Sequence, residues 1–89
     1  MGTIKLYVLK GSSGKRYVGI TNDLERRLSE HRSKRSKGGQ ILGDSFTLLL
    51  TEEFADYKDA RVREKFLKSG QGRESLNELE FRTRIAEGD

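Results

Sequence analysis

Hydrophobic and polar positions alternate from the start of the chain. In "TIKLYVLK", Ile4, Leu6 and Val8 oppose Lys5, Tyr7 and Leu9, the period-two pattern of a strand with one strongly apolar face. "GSSG" at 11–14 is turn chemistry, and "KRYVGIT" resumes β-branched and aromatic residues, so the two runs predict a β-hairpin. Val18 and Ile20 share one face of the second strand, and Tyr17 and Gly19 share the other. Tyr7 and Tyr17 occupy the same face of the hairpin if the register allows it.

The period then changes. Asn22 is a good helix N-cap, with Glu25 placed to close a capping box, and the helix runs to about Ser33. Leu24 and Leu28 mark its buried stripe. At about 100° per residue, His31 falls between them and Arg27 lies beside them, while Glu25, Arg26 and Glu30 point elsewhere. Arg27 and His31 are thereby aimed at the strand that carries Tyr17. Residues 33–44, "SKRSKGGQILGD", read as a basic, glycine-rich loop. "SFTLLLTEEF" is a third strand. Asp56 caps a second helix over about 56–69, and a third helix starts near Gly72 without one clean apolar stripe. In the second helix Ala60 and Leu67 define an apolar stripe with Glu64 in its middle. A carboxylate there costs free energy unless it is paired or binds a cation.

Composition narrows the picture. At 89 residues, 33% hydrophobic and 36% charged, the chain suits one small-cored domain over 1–89. It has no cysteine, which excludes disulfides, zinc-thiolate sites and thiol catalysis and fits a reducing, cytoplasmic setting. No apolar run approaches the ~20 residues of a membrane span. The net charge of +4 is unevenly spread. Residues 1–43 hold ten Lys/Arg against three Asp/Glu, and residues 44–89 hold eight against eleven. A basic half of this kind suits a polyanionic partner. Lys15, Arg16, Arg26, Arg32, Lys34, Arg35 and Lys37 are the candidate contacts to a nucleic-acid backbone. No helix-turn-helix, zinc finger or RNP-type motif accompanies them, so weak intrinsic sequence specificity is expected.

These residues fall in an order that resembles the GIY-YIG nuclease domain, in particular its small stand-alone prokaryotic members. "KLYVL" stands at the first tripeptide and "YVG" at 17–19 at the second. "NDLERRLSEH" matches the helix that follows, with Arg27 at the family's arginine and His31 at the histidine of the small members. "ARVREKFLKSGQGRE" places Glu64 at the family's glutamate. The resemblance covers about residues 3–76, followed by a C-terminal helix or tail from 72. Lys5 departs from the first glycine, Leu6 and Val18 are conservative changes, and no role is carried onto Asn77.

The resemblance implies an α+β fold, a small three-stranded antiparallel sheet flanked by helices. It also implies a metal-dependent endonuclease that hydrolyses phosphodiester bonds, in DNA by first choice, with Tyr7, Tyr17, Arg27, His31 and Glu64 as catalytic residues. Glu64 would hold one Mg²⁺ or Mn²⁺ ion, which relieves charge on the leaving oxygen. Arg27 can donate two hydrogen bonds to phosphate oxygens. Tyr17 is the first choice for activating or positioning water, and Tyr7 the second, with an orienting or phosphate-binding role. For His31, proton transfer and hydrogen bonding to a phosphate or a tyrosine all stay open. A protein partner supplying specificity is compatible with this expectation. Two other classes compete: a non-catalytic nucleic-acid-binding module that keeps the fold, and a protein-interaction domain whose partner covers the basic half.

Overall fold

The first apolar run becomes the middle of a sheet. The computed structural model describes residues 3–33 and 41–88, with the side chains of the last helix as far as Arg82. Strand β1 (Ile4–Gly11) turns into β2 (Arg16–Thr21), helix α1 (Leu24–Arg32) follows, and β3 (Phe46–Phe54) leads into α2 (Tyr57–Lys68) and α3 (Gly70–Gly88). The sheet order is β2-β1-β3, and both pairings are antiparallel. With a neighbour on each side and helices over both faces, β1 buries Leu6, Val8, Tyr7 and Leu9 completely. The expectation of one strongly apolar face was therefore too narrow: the central position turns Tyr7 and Leu9 inward as well.

The two faces carry two cores. Leu6, Val8 and Val18 pack with Leu67 of α2 and Leu76 of α3. Tyr7, Leu9 and Leu42 pack with Tyr17, Phe46 and the α1 residues Leu24 and Leu28. Helix α1 thus covers one face, and α2 and α3 cover the other. Fully burying each such Leu or Val contributes ~1.5–3 kcal/mol, so the small core relies on a few residues.

Local chemistry sets the element ends. The cap of α1 is Asp23 rather than Asn22: its carboxylate accepts from Arg26 N at 3.1 Å. Thr21 Oγ1, at the end of β2, accepts from Asp23 N at 3.0 Å and holds that residue in place. The cap lies one residue later than expected, so Glu25 does not stand at the position that closes a capping box. Asp56 caps α2 as expected, accepting from Asp59 N at 3.0 Å. The extended backbone of Ser69 separates α2 from α3, and Gly72 lets the two helices approach closely. A Cβ at that position would lie 2.1 Å from the Phe66 carbonyl oxygen. The close approach swings α3 back over the hairpin. Its apolar residues divide accordingly: Leu76 is buried, Leu79 packs on the core, and Phe81 is 60% exposed.

Candidate active site

The β1–β2 register aligns Tyr7 with Gly19 and Leu9 with Tyr17. Both tyrosines therefore lie on the α1 face, two residues apart along paired strands, with ring centroids 6.1 Å apart. Gly19 makes the space for them. A Cβ there would sit 2.6 Å from Tyr7 Oη and 2.9 Å from Tyr17 Cε1. Gly19 is a residue of the site that sequence reasoning passed over. The signal was a glycine inside a strand, which often marks close approach of another group.

Helix α1 supplies the other two members. His31, 1% exposed, hydrogen-bonds through Nε2 to Tyr7 Oη at 2.9 Å. Its ring stands edge-on to Tyr17, with centroids 4.8 Å apart. Phe46 of β3 closes the opposite side at 6.3 Å, a contact no sequence pattern announced. One turn before His31, the Arg27 guanidinium acts on the Tyr7 hydroxyl with its positive charge. It also donates to Glu30 Oε1 at 2.9 Å. Glu30 was expected to point elsewhere, but at three residues' spacing it is a neighbour of Arg27 on the helix surface.

Burial decides the protonation of this group. It pushes the Tyr7 phenol up to about 12, and Arg27 offsets only part of that rise. It also lowers His31 from its ordinary 6.5, assisted by the positive charge of Arg27. At neutral pH the cluster is a neutral phenol and a neutral imidazole beside a guanidinium. A phenol so reluctant to ionise is a poor base, and Tyr7 is suited to orienting its neighbours. Tyr17 differs in position. It is half-buried and belongs to the lining of a surface groove.

Among the described residues no hydrogen bond or ion pair joins Glu64 to these four. Its helix packs on the Leu6–Val8–Val18 side of the sheet, whereas His31 and Arg27 come from the other side. Its carboxylate pairs with Lys68 Nζ at 3.0 Å and is 22% exposed. Among the described residues no group of three or more His, Cys, Asp or Glu gathers in a way that could hold a metal. Glu64 offers a single carboxylate, the number with which Mg²⁺ can be held when waters and a substrate phosphate complete its shell.

The expected backbone contacts separate into three groups. Lys15, Arg26 and Arg32 are exposed, and Arg32 lies over the Phe46 ring at 5.9 Å. Arg16 is engaged, donating from Nε to Glu80 at 2.9 Å and from Nη2 to Asn77. Lys34, Arg35 and Lys37 lie outside the described residues. The groove beside Tyr17, about 740 Å³, runs from the hairpin to the α2–α3 junction and reaches Lys68, the partner of Glu64.

Comparison with known proteins gives matches to the sequence and the fold. A family model described as the GIY-YIG catalytic domain matches residues 4–77. The solution NMR structure of the UPF0213 protein BH0048 from Bacillus halodurans is similar at 28% identity and a TM-score of 0.54. The match covers 86% of this chain and 84% of that one. No curated protein matches significantly.

Proposed function

Since the chain belongs to the GIY-YIG family, whose domain is a nuclease domain acting on nucleic acid, we propose that it is a divalent-metal-dependent endonuclease. Its substrate in this reading is DNA, cut by hydrolysis of a phosphodiester bond in repair, recombination or mobile-element processing. The observation that carries the reading is the Tyr7–Tyr17–Arg27–His31 cluster: two phenols, an imidazole and a guanidinium on one face, assembled through a glycine that leaves room for both rings.

The roles follow from charge and access. Arg27 offers fixed positive charge and a fork of N–H donors to the phosphate, where negative charge grows during the reaction. Tyr17, at the wall of the groove, positions the attacking water. Tyr7 and His31 hold each other and Arg27 in place. Glu64 would hold one Mg²⁺ or Mn²⁺ ion, after release from Lys68, and a bound ion would stabilise the leaving oxygen. No helix among the described residues is long and apolar enough to cross a membrane, which is compatible with work in the cytoplasm.

A non-catalytic module that retains the fold is the second reading, and the Lys68–Glu64 pair is the observation that favours it. One experiment separates the two. Purified protein is incubated with plasmid, duplex, flap and junction substrates and Mg²⁺ or Mn²⁺, beside Glu64→Ala. Metal-dependent cutting that the variant lacks supports the enzyme. Salt-sensitive binding without cutting supports the module.

A further inference from the structure

The groove beside Tyr17 is lined by five cations and no acid. Lys10, Lys15 and Arg16 come from the hairpin, and Lys68 and Arg73 from the α2–α3 junction. Two distant stretches of chain thus place like charges around one concavity. Such a juxtaposition is unfavourable unless counter-charge is supplied. Part of it is internal. The Glu80 carboxylate of α3 takes Arg16 Nε at 2.9 Å and Lys10 Nζ at 3.4 Å. Glu80 is itself held below the usual carboxylate range, chiefly by the Arg16 hydrogen bond, so it sits there as an anion. Glu64 meets Lys68. Lys15 and Arg73 have no ion-pair partner among the described residues.

We infer that this groove is the track for the phosphates of a nucleic-acid strand, and that Glu80 holds two of its cations, Lys10 and Arg16, until the strand competes for them. The inference rests on the nuclease reading above. The groove is far larger than one small anion requires, and it can take a run of sugar-phosphate units. Tyr17 stands in the lining with the cations, and an aromatic residue beside positive charge suits bases as well as phosphates. An acidic peptide would satisfy the cations and leave the aromatic wall unused. Its lining also includes Tyr17, a member of the cluster.

The test is equilibrium binding of a labelled 20-nucleotide DNA, single-stranded and duplex, over a salt series without divalent metal. Lys15→Ala/Arg73→Ala removes two exposed cations and leaves the core intact, which thermal unfolding checks. It is expected to weaken binding about tenfold near 0.1 M salt and to lower the slope of log K against log salt by about 2. Glu80→Gln, which frees Lys10 and Arg16, is expected to tighten binding several-fold and steepen the slope by about 1. Wild-type affinity and slope in both variants overturn the track, as does competition by polyglutamate as strong as that by DNA. The two proposals fail differently. Glu64-dependent cutting that persists with unchanged affinity in the double variant removes the track alone. No binding at low salt by the wild-type protein removes both.

Discussion

The hydroxyl of Tyr7 and Nε2 of His31 lie 2.9 Å apart, although 24 residues separate them in sequence. Both side chains are buried almost completely, at 0% and 1% exposure. The contact links the central strand to α1, and Arg27 adds its charge to the same hydroxyl. Each partner is kept neutral by burial, and each orients the other beside a permanent cation. Four expectations follow from this arrangement.

The pH dependence of stability should carry the mark of His31. Its folded pKa lies below the ordinary 6.5, so as pH falls below that value the unfolded chain takes up a proton that the folded chain resists. Stability from this source is fully present above about pH 6.5 and is lost as pH falls toward the lowered folded value. Glu80 acts the same way but only below its ordinary 4.5. The interval between is therefore the window for His31. It is the sole histidine, so its imidazole resonance is unambiguous in an NMR titration. A midpoint at or above 6.5 in the folded protein would contradict the arrangement.

Tyr7 predicts the opposite behaviour in alkali. Its folded pKa of about 12 stands above the ordinary 10.0, so the stability it contributes is intact below pH 10 and declines as pH rises toward 12. Ultraviolet titration should show one of the three phenols ionising late. Tyr7→Phe should remove that late component. It should also lower stability by ~1–3 kcal/mol in urea unfolding, because His31 loses its phenol partner in a buried site.

At Gly19 the expected effect is steric. An alanine methyl would come within 2.6 Å of Tyr7 Oη, so one or both rings must move. Overpacking of this kind costs ~1–3 kcal/mol. Near-UV circular dichroism of the tyrosines should change, and cleavage should fall with it. An unaltered spectrum and full activity would show that the rings do not depend on this gap.

Arg27→Lys keeps the charge and removes the planar fork. If Arg27 grips the phosphate in the transition state, cleavage should drop ~10²–10³-fold. Unfolding stability and DNA affinity should change little by comparison. Equal rates for the two proteins would assign Arg27 a packing role through Tyr7 and Glu30 instead.

Much of this was legible in the sequence because the local signals agreed with the fold. Alternation in "TIKLYVLK" and "KRYVGIT" defined the hairpin, and angular position on the helix aimed Arg27 and His31 at Tyr17. The missed features depend on neighbours that are remote along the chain. The second buried face of β1 exists because α1, with Leu42 and Phe46, covers it. Phe46 reaches His31 only through the return of β3 to the sheet. The shift of the cap from Asn22 to Asp23 follows from Thr21, whose hydroxyl grips the residue two further on. For Glu64 a wheel could register a carboxylate on an apolar stripe. It could not register that α2 covers the other side of the sheet, or that Lys68 is the pairing partner.

The place of β1 in the sheet also has a kinetic meaning. Its contact with β2 needs only the short turn between Gly11 and Arg16, whereas its contact with β3 joins Gly11 to Phe46 and must close a much longer span. Closing the longer span costs more chain entropy, so the hairpin forms first and the third strand arrives later. During refolding, amide protection should therefore develop between β1 and β2 before it reaches Phe46–Phe54. Until it does, half of the strand that bears Tyr7 remains open to water and to other chains.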